Sequence, residues 1–461
     1  SNAMKRCLLI FTATYPAGNK DGFVADELPY IAPRFDQVIL LPVNAVGDFL
    51  PIKETLPEQC TYIIGNTRSA KAGRMRDLLY SFTSLFNTNS DFRHERKTAA
   101  TTFKKRLFLD YFEGRTRQAT QDIWQKLQNV LMDFDEITLY SYWLYSACRV
   151  MLNIEDLIKT YFPSVQTRTF SRAHRYDLYE WAEPRGYIPY RELFLNRVDG
   201  IFPCSADGVD HINHAYPDII ERTATVALGR LGTGEPVEMA QSLDHAAQEE
   251  IQNFKKADEA QDKPVFEMIS CSWLRPVKRL DLLVAALANL NRDLPVTLRW
   301  THFGDGDTQE QFDDLKALAA SKLDFMDVRL MGSRSKAYIL SYYLTLAPQI
   351  FINCSANEGV PVSIMEAMSC SLPVFATDVG GTKEVTGDGL VGVLWPKDVS
   401  AQRMADDILN FIDAPVAVRS EFAQMARTQW ERMSQASVNY AQFADVLDGR
   451  VPPQDIPFVD Y

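Results

Sequence analysis

Gln349–Cys370, QIFINCSANEGVPVSIMEAMSC, passes from an apolar strand pattern at Gln349–Cys354, through a polar loop, to a helical pattern from about Pro361 to Cys370. That is one strand-loop-helix unit of an α/β protein. Pro361 suits the first helical position, where its missing N–H would have had no intrahelical partner. Glu358 stands in the loop, and Glu366 lies about five residues into the helix, roughly 7.5 Å along the axis at 1.5 Å per residue. Two carboxylates thus flank a space for one extended ligand. Ligands of open α/β sheets bind beyond the carboxyl ends of the strands, and a helix N-terminus favours anions such as phosphate. Taken alone, the pair is also compatible with a helix-terminal charge and a solvated surface residue.

The same rhythm continues outward in both directions. Downstream of Gly229–Pro236, strand patterns at Val265–Cys271, Val296–His302, Asp327–Met331, Gln349–Cys354, Pro373–Ala376 and Gly389–Leu394 alternate with helical segments, enough for a complete doubly wound sheet. Upstream, candidate strands are Arg6–Phe11, Gln37–Leu41, Thr61–Ile64, Ile137–Tyr140, Gln166–Phe170, Gly200–Pro203 and Thr225–Leu228, with a helical insertion at about 68–132. The expected class is α/β with two domains, 4–235 and 236–445, and a tail at 446–461. A last helical stretch, Ala423–Leu447, has no sheet partner after it and is expected to pack back across the first domain.

Other turns converge on the same chemistry. Gly380, Gly381 and Thr382 form a second phosphate-compatible turn, in which the glycines permit close backbone approach and Thr382 can cap the following helix. Arg275, Lys278 and Arg279 follow the first strand of the second half, where cations can neutralise a diphosphate. In the first half, the opening strand runs into a loop bearing Gly18 and Gly22, followed by a helix with Glu27 on its first turns. His174 follows a strand end, Ser141–Trp143 follow another, and Gly229–Gly234 form a glycine-rich turn. No GxGxxG follows the first strand, which disfavours a nicotinamide or flavin enzyme. Asp305-Gly306-Asp307 imitates a metal-binding Asp-x-Asp but is also an ordinary turn. His211 and His214 lack a third ligand at a recognisable spacing and read as structural.

In their joint order, the Lys278 loop, the FGDGD turn at Phe303–Asp307, the Met331–Gly332 strand end, the Glu-x7-Glu motif and the Gly-Gly-Thr turn resemble the retaining glycosyltransferases of family 4. The resemblance implies the GT-B fold, two Rossmann-like doubly wound domains facing across a cleft. It further implies that Lys278 contacts the donor diphosphate, Glu358 the donor sugar and Glu366 the nucleotide ribose. Backbone of Gly359, Val360, Gly380, Gly381 and Thr382 would hold sugar and phosphate, His174 the sugar hydroxyls, and the Gly18 and Gly22 loop the acceptor side. The family's usual Arg, five residues before the Lys, is Trp273 here, with Arg275 nearby as a substitute cation. A nucleoside-diphosphate sugar is thus expected as donor substrate and a glycan or lipid-linked glycan as acceptor, with no separate cofactor and no metal. An epimerase or hydrolase of the same fold, or a non-catalytic two-domain sugar-binding protein, remain alternatives.

Composition sets the boundaries. An apolar fraction of 46% and a charged fraction of 23% are those of a globular protein. A net charge of −12 excludes the basic footprint that nonspecific nucleic-acid binding requires. Ser1–Ala3 read as a scar before Met4, Lys5 opens a strand without a leader-like apolar region, and no run approaches a spanning helix. Seven scattered cysteines fit reduced thiols, so the cytoplasm is the expected location. Between Arg68 and Arg117, however, twelve Lys or Arg face five Asp or Glu among many apolar residues, a pattern suited to peripheral contact with an anionic membrane surface.

Overall fold

Runs such as Cys7–Phe11 are apolar at every position, as expected of a parallel strand buried on both faces. Cys7, Leu9 and Phe11 enter one core cluster, whereas Leu8 and Ile10 enter another on the opposite face. The computed structural model describes residues 3–18, 21–44, 56–65, 75, 78, 79, 81–219 and 222–457. Arg68, Lys71, Arg74 and Arg76 of the basic stretch lie outside them.

The backbone divides into two units, Ser1–Arg230 with Val438–Phe458, and Leu231–Ser437. The first holds β1 (Arg6–Thr12), β2 (Gln37–Pro42), β3 (Cys60–Tyr62), β4 (Glu136–Ser141), β5 (Gln166–Ala173), β6 (Gly200–Pro203) and β7 (Thr225–Val226). They form a parallel sheet in the order β3-β2-β1-β4-β5-β6-β7. The second holds β8 (Val265–Cys271), β9 (Thr297–Phe303), β10 (Asp327–Gly332), β11 (Ile350–Asn353), β12 (Val374–Thr377) and β13 (Gly392–Trp395). Their order, β10-β9-β8-β11-β12-β13, is that of a doubly wound nucleotide-binding sheet. Two Rossmann-like parallel sheets are therefore the observed architecture. In each, winding reverses beside the first strand, between β1 and β4 and between β8 and β11.

The expected insertion is in part a core element. Its helix Phe103–Leu127 belongs to the crossover from β3 to β4, and Leu109, Phe112, Ile123, Trp124 and Leu127 are buried in the first cluster. Thr102 caps it by accepting from Lys105 N–H at 3.2 Å. Charged residues on its inner face conceal this role in the sequence. Glu113 is buried, yet it pairs with Arg149 at 3.1 Å and accepts from Tyr190 Oη. The terminal helical stretch is broken at Ser434 into Val416–Met433 and Ala436–Leu447. Phe443, Ala444, Val446 and Leu447 complete the second core cluster of the first unit, together with Leu8, Ile10 and Phe202. All seven cysteines are free thiols. Among the described residues, no helix is long and apolar enough to cross a membrane.

Under that terminal helix lies a buried charge network. Arg172 contacts Glu27 at 2.5 Å, donates to Tyr140 Oη at 2.8 Å and to Gly229 O at 2.6 Å, and stands 4.0 Å from the Phe443 ring centroid. Tyr140 Oη in turn donates to Glu27 at 2.7 Å. Removing one member of a buried pair strands the other charge without water. Arg172→Met should therefore destabilise the chain by about 3 to 5 kcal/mol in urea unfolding, and adding Glu27→Gln should recover part of that loss.

Candidate functional site

In the second unit, the loops leaving β8, β11 and β12 are fastened to one another by backbone. Ala356 N–H donates to Val277 O at 2.8 Å, and Arg279 reaches Cys354 O at 2.8 Å and Ser355 O at 3.1 Å. Thr377 Oγ1 donates to Ser355 O at 2.6 Å, and Gly381 N–H to Gly359 O at 2.9 Å. Gly380 has φ 54°, and a Cβ there would stand 1.8 Å from Glu358 O. Only glycine fits so close an approach. The helix Val362–Ser369 begins after Pro361, which is the N-cap and not the first helical residue, with ψ 86°. Thr382 likewise falls inside its helix: Gly381 is the N-cap, and the Thr382 hydroxyl is buried with no hydrogen-bond partner.

Two of the expected polar side chains, Lys278 and Glu358, meet on this scaffold. Lys278 Nζ donates to Glu358 Oε1 at 2.7 Å, and Asn353 Nδ2 donates to the same oxygen at 3.2 Å. Glu366 lies 3.6 Å from Lys336 Nζ. Its carboxylate and the Lys278 ammonium act on one thiol: burial and Glu366 push Cys271 up to about 12, and Lys278 opposes them. Arg275 turns elsewhere, to exposed Asp307 at 3.5 Å, an ion pair of little weight in water. Asp305 accepts from Ser333 N–H at 3.0 Å and so ties the β9 loop to the end of β10.

The first unit assembles another set of loops. Asp21 is fully buried and accepts from the N–H groups of Ala13 at 2.5 Å, Thr14 at 3.1 Å and Tyr15 at 2.8 Å, and from Trp143 Nε1 at 3.1 Å. It thereby folds the β1 loop that carries Gly18, where a Cβ would meet Thr14 Cβ at 3.2 Å. Gly22 O accepts from Ala25 N–H at 3.1 Å and opens the helix Val24–Ile31. His174 lies between the rings of Tyr142 and Trp143, with centroids 4.7 and 4.4 Å away, and its Nδ1 is 3.6 Å from Asp177. Burial opposes its charge, but Cys204 and Asp177 outweigh burial and raise its pKa. His211 and His214 go to separate partners, Glu180 at 3.1 Å and Asp210 O at 2.8 Å. Gly229 is required by packing, since a Cβ would meet Phe202 at 2.8 Å.

Sequence reading missed Asp21, Asp177, Asn353, Lys336 and His302. Asp177 accepts from Leu144 N–H at 2.9 Å and His174 N–H at 2.8 Å, joining two loops. None of these residues stands in a motif whose spacing marks it. His302 is the clearest case. Trp300 Nε1 donates to Ser270 Oγ at 2.9 Å, Ser270 Oγ lies 2.6 Å from His302 Nδ1, and His302 Nε2 lies 3.1 Å from Ser272 O. Neutral imidazole satisfies this chain, accepting from Ser270 and donating to the carbonyl at the root of the Lys278 loop.

Burial holds the His302 pKa down at about 4, against 6.5 for a free imidazole, with Ser272 and Asp305 opposing. As pH falls from 6.5 towards 4, the unfolded chain takes up a proton that the folded chain refuses, so stability drops with acid. The wild type should lose about 3 kcal/mol more than His302→Gln over that window, read as urea-unfolding free energy against pH.

With this geometry in view, residues 250–429 match the family model described as glycosyl transferases group 1. The UDP-N-acetylglucosamine–peptide N-acetylglucosaminyltransferase GtfA subunit of Streptococcus agalactiae is 25% identical over 164 residues, which are 35% of this chain and 28% of that protein. The D-inositol 3-phosphate glycosyltransferase of Frankia alni is 27% identical over 218 residues, 46% of this chain and 50% of that one. The chain thus spans half or less of the length of these curated relatives. In three dimensions, Anabaena HepE, solved in complex with UDP and glucose, aligns with 97% of this chain and 100% of its own at a TM-score of 0.56 and 16% identity, a likeness of fold. The Lys278, Glu358 and Gly380 loops all fall inside the matched span, so the likeness to the glycosyl transferases group 1 lies in the second unit, in a chain whose fold is of the GT-B class.

Proposed function

We propose that the chain is a glycosyltransferase that moves a sugar from a nucleoside-diphosphate donor to an acceptor hydroxyl, with retention of anomeric configuration. The observation that carries this reading is the Lys278–Glu358 contact at 2.7 Å, made where the loops of β8 and β11 are bonded together. Lys278 and the backbone at Gly359, Val360, Gly380 and Gly381 suit a diphosphate. The orphaned Thr382 hydroxyl adds a buried polar group available to the same ligand. Glu358 suits the sugar and Glu366 the ribose.

In the reaction, the acceptor oxygen bonds to the anomeric carbon as the bond from that carbon to the diphosphate oxygen breaks. The acceptor proton leaves with the diphosphate. Lys278 stabilises charge that grows on the leaving group, an interaction strengthened by a partly dry site. His174, in the first unit, is a candidate for sugar-hydroxyl contact.

A second part of the proposal concerns location. Met75, Leu78, Leu79, Phe82, Leu85 and Phe86 are all exposed, at spacings that repeat on one helical face, and Phe103 and Leu107 are exposed nearby in sequence. Arg93, Arg96, Lys97, Lys104, Lys105 and Arg106 accompany them. Apolar anchors with basic neighbours suit the surface of an anionic membrane, where each basic residue contributes about 1 kcal/mol.

Two measurements check these readings. Lys278→Ala and Glu358→Gln should each lower kcat/KM for a transferred donor sugar about 100-fold or more, with UDP-, GDP- and ADP-sugars screened first by thermal shift. Wild-type turnover in either variant would refute the donor site, and donor loss without transfer would indicate a hydrolase. In vesicle sedimentation, the wild type should bind phosphatidylglycerol vesicles, weaken with salt, and lose most binding in the Leu79→Ser, Phe82→Ser double variant; equal binding to neutral vesicles would refute the anionic surface.

A further inference from the structure

A cavity of about 240 Å³ lies wholly within the first unit, and none of the residues assigned to the donor lines it. Its floor is made by the carboxyl ends of β1, β2 and β4, through Ala13, Val43, Asn44 and Trp143, and one wall by the helix Phe103–Leu127. This is the point where the winding of the sheet reverses, which is where open parallel sheets accept ligands. The volume is below the roughly 300 Å³ of a drug-sized pocket, so the occupant is about one sugar ring and its substituent.

The lining gives the chemistry of that occupant. Trp143 and Tyr176 are stacked with centroids 5.2 Å apart, and Phe112 meets Tyr145 edge-on at 5.2 Å, so flat apolar faces are held rigid around the space. Such faces suit the C–H side of a sugar ring. Asn44 Nδ2 and Ser146 Oγ, 3.4 Å apart, offer hydrogen bonds to its hydroxyls. Arg115 and Arg185 bring two guanidinium groups to the wall, and no Asp or Glu is among the described lining residues. Arg185 stands 4.2 Å from the Phe108 ring centroid and is oriented by Glu183 at 2.9 Å; Arg115 donates to Asn44 Oδ1 at 3.2 Å. Guanidinium groups bind phosphate with two parallel hydrogen bonds and are well suited to it.

We propose that this cavity is the seat of the acceptor, and that the acceptor is a sugar carrying a phosphate, gripped by Arg115 and Arg185 while its ring lies against Trp143 and Tyr176. The proposal rests on the glycosyltransferase reading above. It also connects with the helix wall: Phe103 and Leu107 are exposed on the first turns of the helix whose next turns, at Phe108, Tyr111 and Arg115, line the cavity. A phosphosugar presented at a lipid surface and a free sugar phosphate share this chemistry.

The test is calorimetric titration of the full chain with glucose 1-phosphate, with methyl glucoside as the neutral control, and with UDP, GDP and ADP. Wild type should bind glucose 1-phosphate at least tenfold more tightly than methyl glucoside. Arg115→Gln and Arg185→Gln should each weaken it about tenfold, with nucleotide affinity unchanged within twofold. Arg185 has a side chain 55% exposed, so its variant keeps the test valid if Arg115→Gln unfolds. Equal affinity for the neutral sugar, or variants that bind glucose 1-phosphate as wild type does, would overturn the proposal. Nucleotide binding is read separately, so absence of binding by UDP, GDP and ADP alike would count against the donor site and not against the cavity. Replacing the free sugar phosphate with the same headgroup on a polyprenyl tail in vesicles names the source: tighter Arg115-dependent binding assigns a lipid-linked acceptor, and no gain over the free sugar phosphate assigns a soluble one.

Discussion

The closest constraint in the second unit is between main chains: Gly380 lies so near Glu358 that the carbonyl would stand 1.8 Å from any added Cβ. This contact brings the β12 loop against the β11 loop, and the hydrogen bond from Gly381 to Gly359 closes it. Arg279 and Val277 then attach the β8 loop to the same backbone. Three strand ends therefore share one rigid junction, and the Lys278 and Glu358 side chains meet there because their backbones are already placed. A site built in this way spends little freedom on binding, since its groups are ordered before the ligand arrives.

The first unit reaches the same end with carboxylates in place of glycines. Asp21 gathers three amides of one loop and an indole from another, while Asp177 joins the loops after β4 and β5. Buried carboxylates are costly unless hydrogen bonds satisfy them, and each of these has several. Behind the sheet, Glu27, Tyr140 and Arg172 form a closed network beneath Phe443 of the terminal helix. The last segment of the chain is thus fixed to the first sheet by a guanidinium over an aromatic ring as well as by apolar burial.

How far the sequence reveals this depends on the range of each interaction. The strands of the described residues were legible within a few residues, the central ones because a doubly buried parallel strand such as Cys7–Phe11 is a local apolar run. The Gly380–Gly381 turn was legible as a place of close backbone approach, although a glycine pair at a strand end serves a plain helix cap equally well. Helix starts at Pro361 and Thr382 were misplaced by one residue, because a cap depends on backbone angles that composition does not report. The burial of Glu113 was illegible, as its partners Arg149 and Tyr190 come from distant segments and its charge reads as solvated. His302 was illegible for the same reason. Its role exists only once β8 supplies Ser270 and Ser272.

The Lys278–Glu358 pair can be weighed by its surroundings. Both side chains are largely shielded, and a 2.7 Å contact between shielded charges is stronger than one in water. Yet Glu358 also accepts from Asn353, so its carboxylate stays oriented if the ammonium turns to another anion. Asn353 ends β11 and orients Ser355 N–H through its other side-chain atom, at 3.0 Å. The amide thus serves the loop and the carboxylate together. An incoming diphosphate would compete for Lys278 with a carboxylate that has a second donor to fall back on. Under the proposed function, that arrangement would lower the cost of exchanging one anion for another, with Asn353, absent from any motif, holding Glu358 while Lys278 turns to the diphosphate.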